Sequence, residues 1–466
     1  MNTVVKIIGL VGSIRSNHNH LDELSQIIHV SADLDTLLKN IKACPHVFSN
    51  TDIAVAAALM GAKSNGAAVE IISLVDLFRH RSEDLYKELD SFATIDDLDE
   101  IDTLSINDKA LVSIMQSLTE CHGIILGSPV YFGDRSSVAN KILQLTGKSD
   151  ILKDKAFGSV ATGAKRNGGQ ETTIIYTLYE AILQGAVAVG NGPKTAQYGG
   201  TVYAGDVGKA VEDVFGMDTS FGTGRQVAQL AKIIQAGTIS PAKRKPKTLF
   251  LVTMDNAEKK YQKTLEDYIK KQKHEFDHEV VNLTTENIYR CIACSACPSP
   301  ALTEKYKDQE NPYTCVVQTS KDNMKYLREK MVDVDVIVLV GVNTNEPLTY
   351  RYQAFMERTR FIRRNDFELT NKIILSLNIE EVGATKNNIF DVKAITSFIR
   401  HNTVIVKPLQ LIFHKGKILV EPDFAEYFPI FDKIVNGRFE IDPFEVSYKA
   451  TGYDNKTLDH TAAIRR

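Results

Sequence analysis

The sequence predicts an α/β fold: two doubly wound parallel-sheet domains in tandem, followed by a small C-terminal extension. Three observations carry this expectation. Short apolar, β-branched runs alternate with helical patterns, the layout of parallel strands joined by crossover helices. The same order of elements occurs twice, at 1–238 and 248–408, on either side of a polar stretch at 239–247 punctuated by two prolines. At 466 residues, the chain is also too long for one ordinary domain.

The first half opens with an apolar run at 4–10 that leads into Gly12-Ser13-Ile14-Arg15. Glycine there lets backbone amides approach a phosphate, and serine and arginine add donors. Residues 16–48 then intervene, patterned by Leu21, Leu24, Ile27 and Ile28 and later by Leu34, Leu37, Leu38 and Ile41, so they are expected to be helical. Ser49-Asn50-Thr51-Asp52 has the form of an N-cap before an alanine-rich helix. A second strand follows at 68–74, an acidic surface loop at 96–102 and an amphipathic helix at 107–120.

The central strand is expected at 124–126, ended by Gly127, Ser128 and Pro129, because proline removes a backbone donor. Tyr131, Phe132 and Gly133 would then lie on the loop beyond its carboxyl end, where open α/β sheets bind ligands. An aromatic pair beside a permissive glycine suits a flat heteroaromatic ring. A fourth strand at 156–160 runs into a polar, glycine-rich loop at 161–172. A helix at 173–184, a fifth strand at 186–189, a long glycine-rich loop at 191–208 and a closing helix at 224–236 complete the set.

The second half repeats the strands at 249–252, 279–283, 334–340, 373–377 and 404–406, with a helix at 322–331. Its chemistry differs. Thr253-Met254-Asp255-Asn256 stands where the first half has its Gly-Ser-Ile-Arg loop, and Val342-Asn343-Thr344-Asn345 stands where it has Ser-Pro-Val-Tyr-Phe-Gly. A β-hairpin is expected around 411–420, and the last 15 or so residues are polar.

The composition, with 43% hydrophobic and 24% charged residues and a formal net charge of −3, is that of a globular protein and gives no electrostatic case for nucleic acid or an anionic membrane. No apolar run approaches the roughly 20 residues of a membrane-spanning helix. The amino terminus lacks a signal-peptide layout, so a cytoplasmic location is expected. Of six cysteines, Cys291, Cys294, Cys297 and Cys315 fall within 25 positions, while Cys44 and Cys121 stand alone. In a reducing compartment such a cluster points to metal or redox chemistry rather than disulfides.

With these pieces in order, the first half resembles the flavodoxin-like NAD(P)H-dependent FMN reductases and quinone reductases. The matching elements are Gly12-Ser13-Ile14-Arg15, Ser49-Asn50-Thr51, Ser128-Pro129-Val130-Tyr131-Phe132-Gly133 and Gly168-Gly169-Gln170-Glu171. The insertion at 16–48 departs from that pattern. The resemblance implies FMN, with its phosphate at Ser13, Arg15, Ser49, Asn50 and Thr51. Its ring would lie against Pro129, Val130, Tyr131, Phe132 and Gly133 and against the loop 162–169, with Thr162, Gly163, Gly168 and Gly169 as its named contacts. The flavin carries the redox chemistry, so no catalytic acid, base or nucleophile is required.

The second half resembles the iron–sulfur flavoproteins of the same fold, whose cysteines follow the second strand. Cys291, Cys294 and Cys297 could wrap one face of a cluster, and Cys315 could supply the fourth thiolate. A [4Fe–4S] cluster, zinc, and thiols without metal all remain open. NAD(P)H would be the co-substrate, and a quinone, a flavin or another small molecule or protein the acceptor. The alternative is an electron-transfer flavoprotein serving a protein partner without a dedicated small substrate. The two halves are expected to form an intramolecular pseudo-dimer, with homo-oligomerisation open.

Overall fold

The computed structural model describes residues 4–16, 18–77, 108–193, 195–240, 243–272, 276–293, 315, 317, 319–342, 349–364, 367–382, 389–415 and 417–441. The acidic loop at 96–102, Cys294, Cys297, the loop at 343–345 and the polar C-terminus lie outside these residues. The chain separates into two compact units, Met1–Asn191 with Tyr198–Ala231, and Gly192–Gln197 with Lys232–Arg466.

The first unit runs β1 (Lys6–Val11), α1 (His18–Val30), α2 (Leu34–Ala43), α3 (Asn50–Ser64), β2 (Ala68–Ser73), α4 (Asp108–Glu120) and β3 (Gly123–Tyr131). It continues with β4 (Asp134–Arg135), α5 (Ser137–Thr146), β5 (Ala156–Gly163), α6 (Gln170–Leu183), β6 (Val187–Ala188), β7 (Gly200–Tyr203) and α7 (Val214–Ile239), whose last turns from Lys232 belong to the second unit. Strands β2, β1, β3 and β5 pair in that order, all parallel. The fifth place is filled twice, by β6 beside the start of β5 at Ala156↔Val187 and by β7 beside its end at Val160↔Gly200. This is the flavodoxin-like order, in which the chain reverses direction across the sheet at β1 and β3.

Because helices cover both faces, the strands carry apolar residues on both sides, and Ile7, Ile8, Ile124 and Ile125 are all fully buried. Helix α3 is buried along residues 51–62 on every side. Its small residues permit this. A Cβ on Gly61 would stand 1.9 Å from the Phe221 carbonyl oxygen, and one on Gly224 would stand 1.6 Å from that of Ala58, so α3 and α7 meet backbone to backbone. The insertion at 16–48 forms α1 and α2. Lys63 Nζ on α3 donates to the carbonyls of Ile28, His29 and Ser31 at 2.9, 2.6 and 2.9 Å, which places a cation at the carboxyl end of α1.

One sequence expectation fails here. Strand β3 does not stop at Gly127 but continues through Pro129 to Tyr131, and Pro129 pairs with Thr162 of β5. The neighbour on its other side, β1, ends its pairing at Val11↔Gly127. At Pro129, past the end of β1 and before β4 begins to pair at Val130, β3 pairs with β5 alone, so a residue without an N–H is tolerated there.

The second unit comprises β8 (Lys247–Val252), α8 (Lys260–Lys271), β9 (Asp277–Asn282), α9 (Met324–Asp333), β10 (Val336–Val342), α10 (Tyr350–Arg358) and α11 (Arg360–Arg364). After these come β11 (Ile373–Glu381), α12 (Ile389–Phe398), β12 (Val404–Ile405), β13 (Leu409–His414), β14 (Lys417–Val420) and α13 (Phe428–Gly437). Its strands follow the same order as the first sheet: β9, β8, β10, β11, all parallel. Here too the last place is shared, by β12 at Ile373↔Val404 and β13 at Leu377↔Leu409. Strand β14 turns back antiparallel on β13 as the hairpin near the C-terminus. Among the described residues, no helix is long and apolar enough to cross a membrane.

Candidate cofactor site

At the carboxyl edge of the first sheet, the ends of β1, β3, β5 and β7 and the amino end of α3 surround a cleft of about 370 Å³. That volume is within the range of small-molecule sites. One end is polar. Ser13 and Arg15 reach it from the loop after β1, and Ser49, Asn50 and Thr51 from the start of α3. Pro129, Val130 and Tyr131 of β3 and Thr162 and Gly163 of β5 line the rest.

The loop after β1 is fixed by its neighbours. The Gly12 amide donates to the Gly127 carbonyl at 2.8 Å, and Ser136 Oγ donates to the Gly12 carbonyl at 2.5 Å. Ser13 is buried and its Oγ accepts from the Arg15 amide at 3.3 Å, while the Arg15 side chain is exposed. Helix α3 begins with a capping box. The Asp52 amide donates to Ser49 Oγ at 3.1 Å and the Ser49 amide to Asp52 Oδ2 at 2.8 Å. Ser16 Oγ also donates to Asp52, at 2.8 Å, so the carboxyl that caps the helix anchors the preceding loop as well. Burial pushes the Asp52 carboxyl above its usual range, against these hydrogen bonds, which favour its charged form.

The amides of Asn50 and Thr51, in the first turn of α3, have no acceptor within the helix and lie at its positive end. Hydroxyls, these amides and one guanidinium form a donor set suited to a phosphate. The residues present therefore fit the phosphate end of FMN. Asn50 also braces the cleft: its Nδ2 donates to the Asp206 carbonyl at 2.8 Å, and its Oδ1 accepts from the Ala210 amide at 3.1 Å.

Four of the residues expected around the ring do not line the cleft. Phe132 is fully exposed at φ 51°, and Gly133 follows at φ 82°, so the two form the tip of the β3–β4 hairpin. Gly168 and Gly169 act from behind. A Cβ on Gly169 would stand 2.7 Å from Gly133 Cα, so the turn before α6 packs directly under the hairpin tip. Gln170 holds that turn, accepting from the Gly168 amide at 2.9 Å and donating to the carbonyls of Lys165 and Val202 at 2.6 and 3.2 Å.

Sequence reasoning missed the wall formed by Ala204, Gly205, Asp206 and Val207, while Ala164 lines the cleft from the loop that was expected there. The glycine-rich loop at 191–208 was visible, but the strand β7 inside it was not, and β7 is what delivers residues 204–207 to the cleft.

In the second unit, Cys291 and Cys315 are both half-buried. Cys291 follows β9 and its amide donates to Glu357 Oε2 at 3.3 Å, while Cys315 lines a pocket with Asp322 and Arg358. Among the described residues, no three histidine, cysteine or acidic side chains are placed to hold a metal. The other two thiols have different surroundings. Burial pushes Cys121 up to about 11, and Cys44 donates to Glu23 at 3.2 Å.

Strand order and a switch-point cleft beside a helix N-terminus together define a flavodoxin-like α/β protein. The model of the NADPH-dependent FMN reductase family matches residues 40–192. An iron–sulfur flavoprotein of Methanocaldococcus jannaschii is 34% identical over 200 residues, covering 42% of this chain and 97% of that protein. One from Methanosarcina thermophila is 26% identical over 204 residues, covering 42% and 96%. The chain belongs to this family of iron–sulfur flavoproteins and FMN reductases. Solved structures similar to it include a WrbA-like flavodoxin from Agrobacterium tumefaciens, with TM-score 0.28, 14% identity, and coverage of 49% of this chain and 98% of that one. Another is general stress protein 14 of Treponema denticola in complex with FMN, with TM-score 0.22, 11% identity, and coverage of 42% and 95%.

Proposed function

We propose that the chain is a cytoplasmic FMN-dependent oxidoreductase that takes reducing equivalents from NAD(P)H and passes them to a quinone, a flavin or another acceptor. Its FMN would occupy the cleft of the first unit, with the phosphate at Ser13, Arg15, Ser49, Asn50 and Thr51 and the ring along Pro129, Val130, Tyr131, Thr162 and Gly163. Bound FMN accepts a hydride and can release the electrons singly. The protein's own residues bind and orient it. The exposed Arg15 and the first amides of α3 compensate the phosphate charge, Gln170 and Gly169 set the height of the hairpin, and Asn50 holds the outer wall. The observation that carries the reading is that one cleft joins a helix-end anion site to the ends of β3 and β5, the switch-point position for a nucleotide.

In the second unit, Cys291, Cys294, Cys297 and Cys315 would ligate a [4Fe–4S] cluster that exchanges single electrons with acceptors. The two thiols described are both positioned at α10, which supports this set over unrelated cysteines.

The test is cofactor stoichiometry. Denatured protein should release one FMN per chain, since the second unit has Thr253 and Met254 where the first has its phosphate loop. Anaerobically reconstituted protein should contain iron and sulfide, and NAD(P)H should be oxidised steadily with a quinone. Two flavins per chain, or none, would overturn the site assignment. Zinc without iron would overturn the cluster. A second reading, electron transfer to a protein partner, is favoured by the fully exposed Phe132 at the hairpin tip beside the cleft. It predicts turnover only with such a partner.

A further inference from the structure

We propose that the buried Arg358–Asp322 pair is a latch that draws together the two ends of the cysteine-bearing segment, making Cys291 and Cys315 neighbours although 24 positions separate them. Arg358 is then a positioning residue for the thiols. This deepens the cluster reading above and, for the metal, rests on it.

The latch is built from one guanidinium. Arg358 Nη1 donates to the Tyr289 carbonyl at 3.2 Å and to Asp322 Oδ1 at 2.8 Å. Its Nη2 donates to the Val317 carbonyl and to Asp322 Oδ2, both at 2.9 Å. Tyr289 lies two residues before Cys291, and Val317 two residues after Cys315. The incoming and outgoing chains thus accept from the same side chain. Asp322 Oδ1 also accepts from the Tyr289 amide at 3.2 Å, so that residue is gripped through both its backbone groups. The zip continues away from the thiols: the Asn323 amide donates to the Asn287 carbonyl at 2.8 Å, and Asn323 and Arg351 bond the side chain and carbonyl of Glu286.

Energetics favours a positioning role over a stabilising one. The Arg358 and Asp322 side chains are 1% and 3% exposed, and desolvating such a pair roughly cancels its attraction, so it is better suited to fixing geometry than to adding stability. The planar fork of arginine can span two carbonyls and a carboxylate at once, which the point charge of lysine cannot. A segment of this length closes only at an entropic cost that grows with the logarithm of its length. With the ends already joined at Arg358, the thiols do not have to meet that cost when they take a metal.

The test uses the full chain with Cys294→Ser and Cys297→Ser, which leaves two of the four thiols. Disulfide formation between Cys291 and Cys315 under mild oxidation is followed by mass spectrometry of peptides, with Arg358 intact, with Arg358→Lys, and with the paired change Arg358→Gln and Asp322→Asn. The paired variant removes both charges, so no unpaired buried charge is left to unfold the unit. We expect the bond to form readily with the latch intact and at least tenfold more slowly in both variants. Equal rates, or no such bond with the latch intact, would overturn the proposal. Iron and sulfide content with all four cysteines present separates the two ideas. A latch-dependent disulfide in a chain that takes up no iron leaves the latch standing and removes the cluster. Iron uptake with a latch-independent disulfide does the reverse.

Discussion

Thr51 Oγ1 and Thr162 Oγ1 lie 2.8 Å apart in a buried pair that ties the first turn of α3 to the carboxyl end of β5. Both residues line the cleft, so this one contact sets the spacing between its polar end and the wall formed by β3 and β5. Thr162→Val keeps the shape but leaves the Thr51 hydroxyl without its partner, at a cost of about 1–3 kcal/mol. The variant should melt at lower temperature and hold FMN more weakly. An unchanged melting curve would show that a solvent molecule takes over the bond.

Arg15 behaves differently because its side chain is exposed. Arg15→Ala should leave the flavin-free protein as stable as before, within about 0.5 kcal/mol. FMN binding should weaken by about 1.5–3 kcal/mol through loss of a charge-assisted phosphate contact. Fluorescence titration with FMN measures this directly, and equal affinities would place the phosphate elsewhere.

Asp52 provides a pH signature. Burial raises its folded pKa above the unfolded value of 3.8. A carboxyl shifted in that direction gives its full stabilisation below the unfolded pKa and loses it as pH rises through the folded one. Asp52→Asn removes the titration. The stability of wild type minus variant should therefore fall as pH rises from about 4 through the raised folded pKa. Urea unfolding across that range reads the slope, and a difference that rises with pH would mean that the hydrogen bonds from Ser16 and Ser49 outweigh burial.

Much of this site was legible in the sequence because its residues act locally. Ser49 and Asp52 are a capping box written in four consecutive positions, and Ser13 and Arg15 follow an unmistakable apolar strand. The residues expected around the ring were harder. Pro129 reads as a strand breaker unless it is known that β1 has already ended beside β3. Strand β7 is only four residues, Gly200–Tyr203, inside a glycine-rich stretch, and its pairing with β5 depends on a partner 40 positions away at Val160↔Gly200. Phe132 looked like a ring wall because side-chain type was visible while its φ of 51° was not. The Arg358 latch joins three separate segments, and nothing at any one of them announces the other two.

Gly169 and Gly133 separate crowding from strain. Both have positive φ, at 101° and 82°, but a Cβ on Gly169 meets Gly133 Cα at 2.7 Å while one on Gly133 meets nothing within 4 Å. Gly169→Ala should cost about 1–3 kcal/mol and lower FMN affinity by displacing the hairpin. Gly133→Ala should cost no more than about 1 kcal/mol and leave affinity nearly unchanged. Equal effects of the two would show that the turn and the hairpin are not in register as described.

The make-up of the polar end has a practical consequence for handling the protein. Its donors are mainly amides at the start of α3 and hydroxyls, with Arg15 as the exposed cation among the residues lining the cleft. Counter-ions weaken attraction between exposed charges, with a screening length near 8 Å at 0.15 M, but barely touch donors that meet their acceptor at hydrogen-bond distance. A flavin seated there should survive elution in concentrated salt that would strip a ligand held by a lysine patch. Colour retained on an ion-exchange column would thus report that amides and hydroxyls, rather than exposed cations, hold the phosphate.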